Sequence, residues 1–594
     1  MEIREQEFKK NFDLHLWKRL FDFLKKYRNS VFFLIFVMFG VGVIDATFPI
    51  LNKYAIDNFV KNNSLDGFYK FVLIYLTLIA VQVFNVWWLI ALAGKIDMGL
   101  CYDIRKSAFK KLQRLSFSYY DKTPVGWIMA RLTSDVARIG DTLAWGIVDF
   151  IWGIAIMGSI VIYMFILNVR LALITLSVVP ILAVLSIYFQ KKILFEYRKV
   201  RRINSQITGA FNEGIMGAKT SKILNIEDKN IDEFKGLTKS MFSSSVRAAI
   251  LSSIYMPLVM TLGSIGTALA LNFGGRSVML NTISFGTLAA FISYSIQFFD
   301  PVRELARVMA EFISAQTAAE RVISLIDTEV EIKDFGELSQ IKKINGDIEF
   351  KDVSFSYKAG EDVLDNFNLK VKAGQSIALV GETGSGKSTI VNLLCRFYEP
   401  TRGTIYIDGM DYKSIPLSKL HSSLGYVLQT PHLFSGTIRE NIQYGNLQAS
   451  FEEIVEAAKL ANAHEFIMSL EKGYDTEVGE GGSKLSVGQR QLISIARAIV
   501  ANPSIFILDE ATSSVDTETE HMIQQAISKV LKGRTSFIIA HRLSTIKSAD
   551  RILVIKDGKI IEDGSHRELI KKRGYYYRLY TNQYILEQEK KIFG

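Results

Sequence analysis

Cysteine is nearly absent from this sequence. Its 594 residues hold two, Cys101 and Cys395, both in segments that read as cytoplasmic, so neither a disulfide framework nor a cysteine zinc site is expected. No cleavable signal peptide is visible either. Residues 1–30 are charged, and the first apolar run is long enough to span a membrane rather than to serve as a leader. Acidic residues are outnumbered, 60 against 70 Lys and Arg, giving a net charge of +10. In a chain with long apolar runs that excess reads as Lys and Arg held on the cytoplasmic side beside anionic lipid, not as a nucleic-acid surface.

The length excludes a single compact core, and the composition divides in two. Residues up to about Gln297 carry runs of Phe, Ile, Leu and Val; those after about Gly346 read as a soluble α/β protein. The runs are about Val31–Pro49, Phe71–Ala93, Leu143–Leu167, Leu171–Phe189, Ile250–Phe273 and Ile283–Phe299, each near the length that crosses a bilayer as a helix. The connections Gly94–Gly140 and Gln190–Arg247 are long and basic, whereas the alternate ones are short and carry few basic residues. The N-terminus, both long loops and everything beyond the sixth run are therefore expected in the cytoplasm. Asp13–Lys26 places Leu14, Trp17, Leu20, Phe21 and Leu24 at helical spacing and reads as an interfacial amphipathic helix. Each long loop is interrupted halfway, at Tyr120–Gly126 and at Glu213–Ala218, where a short helix can turn across the loop tip.

The second half holds a phosphate-binding pattern, Gly381-Glu382-Thr383-Gly384-Ser385-Gly386-Lys387-Ser388. It lies between a strand-like run, Ser376–Val380, and a helix-like one, Thr389–Phe397. The glycines let backbone N–H groups approach phosphate oxygens, Lys387 pairs with the β/γ oxygens, and Ser388 ligates magnesium. Phe506-Ile507-Leu508-Asp509 is an apolar strand ending in a carboxylate suited to the same metal, and Glu510 follows as the group that polarises water. His541 ends another buried strand, Ser536–Ala540, and is a candidate γ-phosphate sensor. About twenty residues before Asp509 stands Leu485-Ser486-Val487-Gly488-Gln489.

That last segment resembles the signature of ATP-binding cassette (ABC) ATPases, and the whole chain resembles an ABC exporter half-transporter of the multidrug/lipid-flippase type. The resemblance implies an all-α membrane domain of six transmembrane helices followed by an α/β P-loop ATPase. The boundaries are an interfacial region over 1–30, a six-span domain over 31–325, a linker over 326–345, the nucleotide-binding domain over 346–584 and a tail over 585–594. By position, Tyr357 resembles the aromatic that stacks on adenine, Thr389 completes the phosphate site, and Gln429 resembles the glutamine that reaches magnesium and water. Thr476–Gly482 resembles the exporter loop before the signature, and Ser513-Ser514-Val515-Asp516 the D-loop.

The implied cofactors are ATP and Mg2+, and the implied partner is a second half-transporter whose signature covers this chain's nucleotide. The implied activity is ATP-driven export of drugs or lipids from the plasma membrane by alternating access. Val487 departs from the glycine usual in the family. It fits a tolerated variant in a homodimer, which is favoured slightly, and also one half of a heterodimer with a degenerate site. An importer on the same fold and a non-transporting membrane ATPase are the other readings. Asp45 and Asp149 are candidate cavity or gate residues; each could instead sit at a helix end in water or pair with a neighbouring helix.

Overall fold

The computed structural model describes residues 14–334, 343–358, 360–509, 517–539 and 543–582. It divides into two compact units, one of residues 1–114 and 123–328, the other of 115–122 and 329–594.

The first unit is helical. Its elements are α1 (Leu14–Leu24), α2 (Arg28–Ala55), α3 (Phe68–Leu112), α5 (Val125–Ala130), α6 (Val136–Leu167), α7 (Val169–Leu176), α8 (Val178–Met216), α9 (Ala218–Leu224), α10 (Glu227–Met279), α11 (Phe285–Gln297) and α12 (Phe299–Asp327), while α4 (Phe117–Lys122) belongs to the second unit. At 1.5 Å per residue, α3 is about 68 Å long and α10 about 80 Å, against a hydrocarbon core of about 30 Å. Their ends must therefore stand in water, which accounts for the polar, basic halves of these helices. The interruption at Glu213–Ala218 is a chain reversal: α8 ends at Met216, Gly217 follows as its cap, and the short α9 leads into α10.

Among the described residues, five helical stretches are long and apolar enough to cross a membrane. The sixth apolar run does not form one continuous helix. α11 stops at Gln297 after 13 residues, and Pro301 lies just inside α12. Proline has no N–H to return to the carbonyl four residues earlier, here that of Gln297, and its ring crowds that carbonyl. Pro180 breaks the fourth run in the same way, four residues after α7 ends at Leu176.

Part of the apolar stripe of α1 is covered by protein, while Phe21 stays 49% exposed. Leu16, Trp17, Leu20 and Leu24 are buried in a core shared with α2, α3, α6 and α12, and the Trp17 indole donates to Gln316 Oε1 at 3.3 Å. At the other end of the bundle Asp57 accepts from the Gly286 amide at 2.9 Å and from the Ser284 hydroxyl at 2.5 Å. A carboxylate there complements the positive start of α11.

The second unit is built on two sheets. β1 (Ile348–Ser356), β2 (Asp362–Val371), β4 (Arg402–Ile407) and β5 (Met410–Asp411) form an antiparallel sheet ordered β2-β1-β4-β5. β3 (Ser376–Val380), β6 (Leu424–Val427), β7 (Ile505–Asp509), β8 (Thr535–Ile539), β9 (Arg551–Lys556) and β10 (Lys559–Gly564) form a six-stranded sheet ordered β10-β9-β3-β8-β7-β6. Strand residues point alternately to opposite faces. Ile377, Leu379, Ile505, Ile507, Phe537 and Ile539 pack toward the antiparallel sheet; Ala378, Val380, Phe506, Leu508 and Ile538 pack toward the helices of the other face. With both faces covered, these strands are the near-continuous apolar runs legible in the sequence.

Helix α13 runs Lys387–Leu394, beginning two residues earlier and ending three earlier than the run Thr389–Phe397 predicts. Arg396 explains the early end. Its backbone is left-handed (φ 54°), and its side chain, fully buried, donates to Glu399 Oε1 at 2.9 Å and to the carbonyls of Ile415 and Lys333 at 3.2 and 3.0 Å.

α4 packs against the rest of this unit through the tilted rings of Phe117 and Phe397, 4.4 Å between centroids, with further hydrogen bonds from Tyr398 to Asp121 and from Ser118 to Glu331. The short helix expected at the first loop tip is thus an integral part of the ATPase-side unit.

Candidate nucleotide site

The parallel pairing brings the functional segments to one edge. Leu379 is level with Ile539, Ile539 with Asp509, and Leu508 with Val427. The loop beginning at Gly381, the carboxylate of Asp509 and the segment holding Gln429 all leave from the carboxyl ends of β3, β7 and β6. Ligands bind at that edge in open α/β sheets.

Within the loop, Gly384 and Gly386 have φ of 84° and 103°, a region closed to most residues with a Cβ. Gly386 caps α13 and would in addition press a Cβ to 3.1 Å from Leu364. Along the loop Glu382, Thr383 and Gly384 are exposed, and Ser385, Gly386 and Lys387 are buried. The Lys387 ammonium donates to the carbonyls of Gly381 and Glu382 at 2.8 and 2.7 Å. Burial pulls its pKa below the usual lysine range, opposed by the nearby Asp509 carboxylate. A cation held on neutral carbonyls beside a nest of amides is prepared to exchange them for phosphate oxygens.

The Ser388 side is exposed, and Thr389 is buried with its hydroxyl 3.3 Å from the Tyr357 hydroxyl. Tyr357 stands at the rim, 42% exposed, held edge-on by Phe355 and Tyr398 at 4.8 and 5.1 Å. Gln429 is exposed. Ser388, Gln429 and Asp509 supply only oxygen donors, the hard set that suits magnesium. Glu510, His541 and the D-loop residues Ser513, Ser514, Val515 and Asp516 lie outside the described residues.

The signature segment opens the helix Val487–Val500. Ser486 is its cap: the Ser486 hydroxyl accepts from the Gln489 amide at 3.2 Å, and Gln489 Oε1 accepts from the Ser486 amide at 3.0 Å. A helix start has four amides without intrahelical acceptors. This reciprocal pair occupies two and leaves Val487 N–H and Gly488 N–H for an anion. Val487 takes an ordinary first-turn helical position with its side chain partly exposed, while Leu485 and Gly488 are buried.

Ser486→Ala removes the cap. The Gln489 amide, in the helix's first turn, should then exchange with deuterium about fivefold faster, in line with a cap worth about 1 kcal/mol. Unchanged exchange in that turn would contradict the capping role.

Two arginines that sequence motifs did not single out hold this region in place. Arg490 donates to the Leu485 and Gly482 carbonyls at 2.9 and 3.3 Å, tying the signature to the loop Thr476–Gly482. Arg497, half-buried and with its pKa lowered by desolvation, donates to the carbonyls of Asn441 and His432 at 2.8 and 3.0 Å. Their only sequence trace is helical spacing from Ser486.

Two family models match the chain, one described as the ABC transporter transmembrane region over residues 31–302 and one as ABC transporter over 364–513. The ATP-dependent lipid A-core flippase of Desulfotalea psychrophila is 36% identical over 575 residues, covering 95% of this chain and 99% of that protein. The chain belongs to the ABC transporter family. Among other relatives of this ABC transporter, the putative multidrug export ATP-binding/permease protein YgaD of Bacillus subtilis is 35% identical over 581 residues, covering 95% and 99% of the two chains. The uncharacterized ABC transporter ATP-binding protein YknV of Bacillus subtilis is 36% identical over 575 residues, covering 96% and 94%. The transporter is therefore a multi-pass membrane protein with a fused ATP-binding, ATP-hydrolysing domain, of the exporter half-transporter type.

In its membrane unit both candidate carboxylates are engaged by neighbouring helices. Asp45 on α2 accepts from Gln82 on α3 at 2.8 Å and from the Trp152 indole on α6 at 3.1 Å. Asp149 on α6 pairs with Arg307 on α12 at 2.6 Å, and that guanidinium also holds Glu304 and Glu311. This is the helix-pairing alternative for both residues.

Proposed function

We propose that this ABC transporter is one half of a dimeric exporter that moves drugs or lipids out across the cell membrane by alternating access, with its N-terminus and ATPase in the cytoplasm. The reading is carried by the fusion, in one chain, of a bundle of membrane-length helices with a phosphate cradle and a capped signature helix. Relatives of nearly full-length coverage, named lipid A-core flippase and multidrug export protein, support the substrate class.

In this reading ATP lies between the Lys387 loop of one subunit and the Val487 and Gly488 amides of the other, with Tyr357 against adenine. Ser388, Gln429 and Asp509 would hold magnesium, which supplies charge neutralisation on the β- and γ-phosphates. Glu510 orients and polarises water, His541 holds the γ-phosphate, and Ser513–Asp516 carries the D-loop role across the dimer. Nucleotide between the subunits favours the closed pair, and its hydrolysis releases it; the switch requires several kcal/mol of differential affinity. A homodimer is favoured, because Val487 keeps both helix-start amides available. A heterodimer in which Val487 marks the weak site is the second reading.

Inside-out membrane vesicles presented with a fluorescent phospholipid and, separately, with ethidium, each on the outside or preloaded inside, test the direction. ATP-dependent movement of either probe from the exposed leaflet or medium inward is expected. Movement the other way would identify an importer. Hydrolysis without flux of any tested lipid or amphiphile would favour the non-transporting ATPase.

A further inference from the structure

Beyond the nucleotide site, an open groove of about 550 Å³ lies between α8 and α10, lined by Lys191, Lys192, Phe195, Glu196, Arg247 and Ile250. Its place follows from the sequence. Lys191 and Lys192 come just after the fourth apolar run ends at Phe189, and Arg247 comes just before the fifth begins at Ile250. Three cations from two helices thus share one level, where hydrocarbon gives way to headgroups in the topology proposed above. Phe195 and Ile250 expose 67% and 52% of their surface at the same place, so the groove joins an apolar wall to a cationic rim.

The charges there are not balanced among the described residues. Lys191, Lys192 and Arg247 form no ion pair among the described residues; Lys192 lies only over the Tyr188 ring, at 4.6 Å. Glu196 has a buried carboxylate oxygen, Oε2, that accepts no hydrogen bond. An unsatisfied buried acceptor is costly, and one beside three unpaired cations asks for a ligand that carries both an anion and a donor. Phosphate alone would satisfy the cations and leave Glu196 unpaired.

We infer that this groove is a binding site for a membrane phospholipid whose headgroup carries a phosphate and an N–H or O–H donor, as in phosphatidylethanolamine or phosphatidylglycerol. The phosphate lies on Lys191, Lys192 and Arg247, the donor on Glu196 Oε2, and an acyl chain along Phe195 and Ile250. Basic pockets between membrane helices on the cytoplasmic side bind anionic headgroups in this manner. The site is independent of the ATP chemistry.

The test uses the full-length transporter in nanodiscs of equal phosphatidylethanolamine, phosphatidylglycerol and phosphatidylcholine, followed by native mass spectrometry of the released protein. Phosphatidylcholine carries the same phosphate but no donor, and retention of the other two at least fivefold above it is expected. Lys191→Ala and Arg247→Ala should each weaken retention of all phospholipids about fivefold, Lys191→Arg should restore it, and Glu196→Ala should abolish the preference over phosphatidylcholine. Inorganic phosphate at millimolar concentration should not displace the lipid; displacement would mark a free-phosphate site and overturn the proposal. Equal retention of all three lipids by the unsubstituted protein, or retention untouched by Lys191→Ala and Arg247→Ala together, would also overturn it. So would disulfide cross-linking between subunits through Phe195→Cys and Ile250→Cys, which would make the partner subunit the occupant.

Discussion

Glu510→Gln should cut magnesium-dependent ATP hydrolysis by about 10²- to 10⁴-fold, the usual contribution of a positioned general base, while ATP binding stays near its original strength. The neutral amide keeps the size of the side chain and an acceptor oxygen, so the site can still assemble. It loses the charge that polarises the attacking water. Because the proposed cycle closes on ATP and opens on hydrolysis, the variant should also accumulate as a nucleotide-bound closed dimer. Steady-state phosphate release and retention of labelled ATP on the purified protein check both halves. A variant with most of its original turnover would remove Glu510 from the reaction and leave the strand end at Asp509 as a magnesium site alone.

Lys387→Ala should act at an earlier step, weakening ATP binding itself by about 10- to 100-fold, the worth of hydrogen bonds to a charged group. The Lys387 ammonium is buried and held on the carbonyls of Gly381 and Glu382. Removing it leaves those carbonyls without their donor and the phosphates without a cation. Direct titration with a fluorescent ATP analogue separates this effect from that at Glu510, where affinity is kept and turnover lost. Unchanged affinity in Lys387→Ala would mean that the backbone amides of the loop alone carry the phosphates.

The two residues also mark how far the sequence reaches. The loop Gly381–Ser388 was legible because its glycines, lysine and serine stand at fixed spacing after a strand, β3, buried on both faces. β7 and β8 were legible for the same reason, since a strand covered on both sides reads as an unbroken apolar run. The break points of the two long loops were visible as glycine and proline, and short helices α4 and α9 occupy them.

What was not legible is tertiary. Nothing local announces that Arg396 takes a left-handed backbone and ends α13 early, because its reason is a set of carbonyls at Lys333 and Ile415. Arg490 and Arg497 read as ordinary polar positions of an amphipathic helix until their acceptors are known. Tyr398 likewise gains its role only from Tyr357 on one side and Asp121 on the other. In the membrane unit, hydropathy located the sixth apolar run but not its interruption, although Pro301 was there to be weighed. The partners of Asp45 and Asp149 come from helices 37 and 158 residues distant along the chain, beyond any local pattern.

The central claim is that ATP is hydrolysed only where two subunits meet. The most direct test expresses this chain alone, purifies it in nanodiscs, and measures the mass of the complex together with its magnesium-dependent ATPase rate. A dimer that hydrolyses ATP, with a rate that falls as dilution separates it into single chains, is the predicted result. A single chain hydrolysing at the rate of the dimer would contradict the shared site. A complex inactive until a second, different half-transporter is supplied would contradict the homodimer and make Val487 the mark of a degenerate site.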